Sequence, residues 1–348
     1  MVRFLVLMCV AMLTALASPR PAAADDTLSV IGGANANAFF EVLTNVAERA
    51  GFYKEEHLIV STQYAGSPNI AAQLVASGKA DLCGQAVEPI IQGYEKGIHL
   101  VTFFARDPHY EFVLAVLDAS PIKTLADFKG ATIGELSIGS PGEISADSTL
   151  SGAGLRKGDY SYIPIGTASQ GLQAIAGKKV DGAEFPYVEL ALYEVESPAK
   201  FRYFWDPILK DVGDTAYAAS PATIAAKGDQ LRRFSRANVM AAILIRENPR
   251  LAARYFLEGA GMKVTDESLS DETRLLELTQ SQLPGYDPAS KRIGYISPVG
   301  IEILAKYLYG AGLTKQIVPA SAVVTNEFID YANDFDHGAF IAQVKRMH

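Results

Sequence analysis

The stretch Gly66-Ser-Pro-Asn-Ile-Ala-Ala-Gln-Leu-Val-Ala-Ser-Gly-Lys-Ala-Asp81 returns without a gap one hundred residues later as Gly166-Thr-Ala-Ser-Gln-Gly-Leu-Gln-Ala-Ile-Ala-Gly-Lys-Lys-Val-Asp181. Gly66 and Gly166, Ser67 and Thr167, Gln73 and Gln173, Ala76 and Ala176, Lys79 and Lys179, and Asp81 and Asp181 fall in register. Each copy follows a β-rich run, Leu58-Ile-Val-Ser-Thr-Gln-Tyr64 or Tyr160-Ser-Tyr-Ile-Pro-Ile165. Each opens with a glycine and a hydroxyl residue suited to start a helix, and each leads into a short strand at the aspartate. A period this long is not that of a solenoid. The repeat predicts two α/β lobes of one architecture, with space between them.

The address on the chain narrows the class. Residues 1–24 read as a secretory leader: a basic start at Arg3, an apolar run from Phe4 to Ala17, and Ala22-Ala23-Ala24 before Asp25, with cleavage expected near Ala24. The apolar run falls short of the roughly 20 residues a spanning helix needs. A soluble exported protein of the periplasm is the expectation. Cys9 follows Leu7-Met8 rather than the small residues that precede a lipid-modified cysteine. Removing the leader takes away Cys9, Arg3 and Arg20, leaves Cys83 as the single cysteine, and moves the formal charge from −8 to −10. No disulfide can then form within one chain, and stability has to come from a core that a chain of this length can bury. The acidic balance argues against nucleic acid or an anionic membrane as partner. The length suggests two domains.

Strand and helix patterns alternate from Leu28-Ser-Val-Ile31 through His99-Leu-Val-Thr-Phe-Phe104, as parallel sheets require. Tyr110-Glu-Phe-Val-Leu-Ala-Val-Leu117 reads as a strand leaving the first lobe, and Thr215 to Ala226 as the strand that returns. Beyond Asp229 the pattern is almost wholly helical. The expected division is lobe I over 25–118 and 222–348, and lobe II over 119–221. Two crossings between lobes make a hinge.

Four stretches carry a resemblance: Gly51-Phe-Tyr-Lys-Glu-Glu56, Leu74 to Asp81, Ser120-Pro-Ile-Lys-Thr-Leu-Ala-Asp-Phe-Lys-Gly130 followed by Thr132-Ile-Gly134, and Ala174 to Asp181. In this order they resemble the periplasmic substrate-binding proteins of ABC transporters, in the nitrate/sulfonate/taurine and thiamine-precursor class. The resemblance covers nearly all of the mature chain. It implies two Rossmann-like lobes joined by a two-strand hinge, the type II periplasmic binding protein fold, with the helical C-terminal region packed on the first lobe. It implies a monomeric, non-catalytic component of an importer that delivers a small organic ligand to an inner-membrane ABC permease. The ligand classes it allows are sulfonate or taurine-like compounds, aromatics and thiamine-precursor heterocycles. A ligand-sensing partner of a membrane receptor would share the fold. Thiamine-pyrimidine synthases are similar over the lobes but use a lysine-bound cofactor, histidines and a cysteine cluster, and this chain lacks that cluster.

In open α/β sheets, ligands sit beyond the carboxyl ends of strands, where helix N-termini aim backbone N–H groups. The segments in that position contribute the candidate residues Asn35, Asn37, Phe39, Gly66, Ser67, Gln85, Glu88, Ser137, Gly139, Ser140, Thr167, Glu184 and Tyr187. Ser67 and Thr167 are either plain helix caps or ligand contacts. The resemblance implies that the loop holding Ser137, Gly139 and Ser140 binds an acidic group of the ligand. Glu143 departs from the anion-binding pattern there, and either repels an anion or favours the positive helix end. Glu88 and Glu184 are either paired within the protein or partners of a ligand amine. Phe39, Phe40, Phe185 and Tyr187 are either core or walls for a flat ring. No arginine lies in these loops, although Arg106 stands where it can reach the cleft rim. Cys83 reads as a small buried apolar residue. His57, His99, His109, His337 and His348 show no metal-ligand spacing, and no cofactor or hydrolase motif is present.

Overall fold

In a computed structural model the chain is described over residues 25–36, 38–135, 141–166, 168–209, 212–284 and 292–348. The leader, Asn37, residues 136–140, Thr167, residues 210–211 and residues 285–291 lie outside the described residues. Among the described residues ten strands form two five-stranded sheets. They are β1 (Asp26–Gly32), β2 (Leu58–Tyr64), β3 (Leu82–Ala86), β4 (Val101–Ala105), β5 (Phe112–Leu117), β6 (Thr132–Glu135), β7 (Ser161–Pro164), β8 (Gly182–Pro186), β9 (Phe201–Phe204) and β10 (Thr215–Ala219). The first sheet has the order β2-β1-β3-β10-β4 and the second β7-β6-β8-β5-β9. In each, four strands run in one direction and the fourth in spatial order, β10 or β5, runs antiparallel between its neighbours.

The two sheets exchange these antiparallel strands. β5 follows β4 in sequence yet pairs with β8 and β9, while β10 follows β9 yet pairs with β3 and β4. Strand membership therefore puts the crossings at residues 106–111 and 205–214, upstream of the boundaries at 118 and 221 expected from sequence. The apolar run Phe112–Leu117 is the first strand of its path in the second sheet rather than the last of the first. The returning strand ends at Ala219, because Pro221 starts a helix whose N-cap, Ser220, accepts a hydrogen bond from the Thr223 amide at 3.1 Å.

The repeat is visible as equivalent stitching. The Asp81 carboxylate accepts from the Ser29 amide at 2.8 Å, and that of Asp181 from the Thr132 amide at 2.8 Å. In return the Asp81 amide donates to the Ser29 carbonyl, and the Asp181 amide to the Thr132 carbonyl. Each aspartate thus pins the start of the repeat's closing strand to its parallel neighbour, β1 in the first sheet and β6 in the second.

Helices cover both faces of each sheet. In chain order they are α1 (Val42–Arg49), α2 (Phe52–Glu55), α3 (Pro68–Ala76), α4 (Glu88–Tyr94), α5 (Pro141–Gly152), α6 (Ala168–Ala176), α7 (Tyr187–Glu196), α8 (Pro221–Glu247), α9 (Pro249–Gly259), α10 (Asp266–Leu278), α11 (Pro298–Gly310), α12 (Ile329–Asn333) and α13 (His337–Val344). Strand alternation sends Leu28, Val30 and Leu82 to a core shared with α1, α8, α9 and α13, and Ile31 and Cys83 to one shared with α3, α4 and α11. In the second sheet Val113 and Ala115 face α6 and α7, and Leu114 and Val116 face α5. The C-terminal helices α8, α9, α12 and α13 pack on the first sheet's side, as expected, while α10 also packs on α7 of the second. Among the described residues no helix is long and apolar enough to cross a membrane.

Candidate ligand-binding site

The loops at the carboxyl ends of the first sheet converge. A Cβ placed on Gly33 would lie 2.9 Å from the Cβ of Gln85 and 3.3 Å from the Cα of Pro68, so the 33–39, 66–68 and 84–88 segments meet with no room for a side chain. Gly66 holds φ +62, which favours glycine, and a Cβ there would lie 3.2 Å from the Asn35 side-chain oxygen. Asn35 is exposed. Ser67 occupies the N-cap of α3 in an extended conformation but makes no side-chain cap bond, so the plain capping role does not account for its hydroxyl. Gln85 is 3% exposed, and neither atom of its side-chain amide has a hydrogen-bond partner. Glu88 accepts from the Tyr110 hydroxyl at 2.7 Å. Burial raises its pKa, and the hydrogen bond from Tyr110 works the other way.

On the second sheet, Glu184 is fully buried with neither carboxylate oxygen partnered. The solvated and ion-paired readings of this residue are both overturned. It lies under the first turn of α5, where a Cβ on Gly142 would come within 3.3 Å of its Cγ. Burial pushes its pKa well above the ordinary range; the neighbouring Ser145 hydroxyl opposes the shift and the Asp206 carboxylate adds to it. Glu143, by contrast, stands 3.8 Å from Lys157. Phe185 is core, packed with Leu172 and Leu190, and is no wall of the cleft. Ser137, Gly139, Ser140, Thr167 and Asn37 lie outside the described residues.

Phe39 and Tyr187 come together across the lobes. With Phe40, Arg106, Glu111 and Gln282 they line a small cavity of about 20 Å³, room for about one water, at the crossing between the two sheets. The edge-to-face pair of Phe39 and Phe40, with ring centroids 6.3 Å apart, forms one wall. Tyr187 is held in place, its hydroxyl donating to the Leu278 carbonyl at 3.0 Å and its ring tilted against Trp205.

The crossings themselves carry charge that sequence reasoning did not assign. Arg106 is 4% exposed and bridges to the equally buried Glu41 at 3.1 Å, with its guanidinium 5.0 Å above the Tyr217 ring. It is therefore not the free rim arginine that its position suggested. Burial disfavours the Arg106 charge, but Glu41 and Tyr217 more than compensate and hold its pKa above the usual value. Asp107 joins the two crossings, accepting from the amides of Asp214 at 2.9 Å and Thr215 at 3.1 Å and from the Thr215 hydroxyl at 2.6 Å. Burial pushes its pKa up to about 6 against those hydrogen bonds. Glu111 and Asp214, one from each crossing, are raised well above the carboxylate range by burial first and by neighbouring acids second. Glu111 Oε2 and Asp214 Oδ2 are buried without partners. Tyr307 on α11 was also missed. Its buried hydroxyl is unpartnered, and its pKa is raised by burial and then by Glu88, Glu184, Asp206 and Asp147, so acids of both lobes act on one phenol. The only sequence signal for these residues was charge in short segments between apolar strands.

A family model described as NMT1/THI5 like matches residues 43–252, more than half of the chain. No curated protein matches. Among solved structures the chain is similar to the periplasmic aliphatic sulphonate binding protein SsuA from Escherichia coli, at 16% identity over 86% of this chain and 92% of that one, with a TM-score of 0.67. It is similar to the alkanesulfonate-binding protein SsuA from Xanthomonas axonopodis pv. citri bound to MOPS, at 17% identity, 88% and 100% coverage and a TM-score of 0.60. A periplasmic sulfonate-binding protein SsuA from Methylobacillus flagellatus matches at 14% identity, 88% and 94% coverage and a TM-score of 0.65. At these identities the likeness establishes the fold, two mixed α/β sheets of the periplasmic binding protein kind.

Proposed function

The chain belongs to the NMT1/THI5-like family and has the periplasmic binding protein fold, and from that premise we propose that it is the solute-binding component of an ABC importer. It is exported to the periplasm by the leader at residues 1–24, binds a small organic molecule between the lobes, and hands it to an inner-membrane permease. The carrying observation is the cavity at the crossings, which takes Phe39 and Phe40 from one lobe, Tyr187 from the other and Glu111 from the hinge between them. A ligand seated between the lobes makes contacts with both only when they close, so its binding shifts the population to the closed form and presents occupancy to the permease as a shape. Beyond that cavity the buried, unpartnered Gln85 and Glu184 offer polar groups from either sheet, and Asn35, Gly66, Ser67 and Glu88 lie in the converging loops of the first. The candidates outside the described residues, Asn37, Ser137, Gly139, Ser140 and Thr167, remain part of this proposal.

The test is native mass spectrometry of the mature protein, followed by thermal unfolding of refolded, ligand-free protein against a panel of sulfonates, aromatic acids, amines and pyrimidines. A ligand at 100 times its dissociation constant adds about 2.7 kcal/mol of stability. One small molecule per chain, or a clear upward shift with one class, is the expected result. A protein that carries no ligand as purified and shifts with none of the panel would refute the reading.

A further inference from the structure

We propose that Arg156 is a positioning residue for lobe closure, its guanidinium crossing the groove between α5 and α11 to dock on free carbonyls at the C-terminus of α11. The inference rests on the solute-binding reading, in which the lobes close on a ligand, and adds a residue that sets how readily they do so. The lobes meet differently on their two flanks. α6 and α7 cover one face of the second sheet and α5 covers the other. On the α7 flank the lobes are joined, with the Tyr187 hydroxyl donating to the Leu278 carbonyl on α10 at 3.0 Å. On the α5 flank they stand apart and leave a groove of about 700 Å³. One wall is the end of α5 and the segment after it, with Ser151, Arg156 and Lys157; the other is the end of α11, with Tyr307, Gly310 and Ala311.

The two cations on the α5 wall are in different states. Lys157 is committed within its own lobe: it bridges to Asp147 at 2.7 Å, a carboxylate that also accepts from the Tyr160 and Tyr162 hydroxyls. Arg156 is exposed, and among the described residues its side chain has no hydrogen-bond or ion-pair partner. Its backbone is nonetheless fixed. The Arg156 amide donates to the Asp159 carboxylate at 2.9 Å, the Asp159 carbonyl accepts from the Gly130 amide at 2.6 Å, and the neighbouring Leu155 is buried in the core beneath α5. A long cation thus stands at the groove on a rigid base. The opposite wall offers it acceptors. Beyond α11 the chain turns at the left-handed Gly312, φ +74, and the closing bonds run from the Ala311, Gly312 and Leu313 amides to the Tyr307, Tyr309 and Leu308 carbonyls. The carbonyls of Gly310 and Ala311 lie past that set and accept from no backbone amide among the described residues. A helix C-terminus carries partial negative charge that favours a cation, and the five donors of a guanidinium can serve two carbonyls at once. Such contacts form only as the groove narrows, so they favour the closed form. An exposed cation at a helix C-terminus shifts that equilibrium about two- to fivefold.

The experiment is pulsed electron paramagnetic resonance on the mature protein, refolded to strip ligand, with nitroxide labels on Ala153→Cys beside the α5 wall and Glu302→Cys on α11, both exposed positions. Cys83 is buried and takes no label. The parent is expected to show a shorter and a longer distance, and Arg156→Gln to lower the ratio of shorter to longer about two- to fivefold. Arg156→Lys should keep part of that ratio, because it retains the charge and loses the fork of donors. Raising sodium chloride from about 0.02 M to about 0.5 M should lower the ratio in the parent and leave Arg156→Gln unmoved, since salt screens an exposed charge. Urea midpoints should not differ between the parent and these variants. A distribution identical in the parent and Arg156→Gln, whether of one distance or two, overturns the proposal, and so does a salt response of equal size in both. Neither outcome touches the solute-binding reading, which the bound molecule and the thermal shift decide. A protein that binds nothing while its distances respond to Arg156 loses that reading and keeps the contact.

Discussion

Asp107 is the side chain that ties the two crossings together, and replacing it separates its hydrogen bonds from its charge. Asp107→Ala removes three bonds, from the Asp214 amide, the Thr215 amide and the Thr215 hydroxyl, and strands two buried backbone donors. Hydrogen bonds to charged groups contribute about 1.5–3 kcal/mol each, and a stranded donor costs about 1–3 kcal/mol. Part of that loss is offset, because burial disfavours the charge of the carboxylate. Its pKa is pushed up to about 6, against an ordinary value of about 3.9, and a displacement of about two pH units corresponds to about 3 kcal/mol. Since the folded value lies above the unfolded one, the folded state binds the proton more tightly. Stability from this group is greatest below about pH 3.9, falls as pH rises to about 6, and is level beyond that. Asp107→Asn keeps an oxygen for the two amides and removes the charge. The alanine variant should therefore lose about 3 kcal/mol at pH 5, where the asparagine variant stays within about 1 kcal/mol of the parent. At pH 8 the asparagine variant should be more stable than the parent by about 1–3 kcal/mol. Urea unfolding of the mature protein followed by circular dichroism at both pH values reads these differences. An asparagine variant less stable at pH 8, or an alanine variant no worse than asparagine, would refute the account of Asp107 as a hydrogen-bonded tie carrying an unfavourable charge.

Glu272 on α10 is pushed up to about 7 by burial, with Oε1 unpartnered. Its folded value too lies above the unfolded one, so stability should decline between about pH 4.5 and 7, and Glu272→Gln should flatten that decline by about 1–2 kcal/mol after allowance for solvent screening of a half-buried group; denaturant midpoints at pH 5 and 8 check it. Gly294 holds φ +85 with a Cβ position 2.3 Å from the buried Phe104 ring, so Gly294→Ala should cost about 3 kcal/mol or more, visible as a lowered midpoint in a thermal melt. Asp81 also bridges Lys227 at 2.7 Å and accepts from the Ser29 hydroxyl, whereas exposed Asp181 accepts from a single amide. Asp81→Ala should cost about 2 kcal/mol and Asp181→Ala about 1 kcal/mol; equal losses would show that the repeat's two pins bear equal load.

Much of the architecture was readable because the repeat carries its own geometry: a hydroxyl at the helix start, a glycine turn, and an aspartate that pins the next strand. The strand exchange was not readable. Phe112–Leu117 is apolar on both faces, and such a run looks the same whichever sheet buries it. Gln85 and Glu184 stand out in the sequence because they sit on or beside the strand each repeat copy leads into, and their burial without partners is what the structure adds. Glu41 and Arg106 lie 65 residues apart, so no local pattern joins them. Glu111, inside the apolar run from Tyr110 to Leu117, and Asp214 carry no local signal of their burial, which arises only when the crossings fold against each other. Tyr187 was singled out as a possible ring partner, and its bond to Leu278 on α10 depends on a contact between lobes that sequence does not encode locally.

The exchange of strands also orders events in time. β3 and β4 of the first sheet do not pair with each other; the slot between them belongs to β10, which ends at Ala219. The second sheet has all its strands by Phe204. A chain emerging N-terminus first thus holds two open strand edges in its first half until its second half has been made. It cannot lock its opening half early, which keeps it threadable for any channel that passes polypeptide unfolded. A nick within residues 118–200 would divide the first sheet between two fragments, and only their reassociation would restore it.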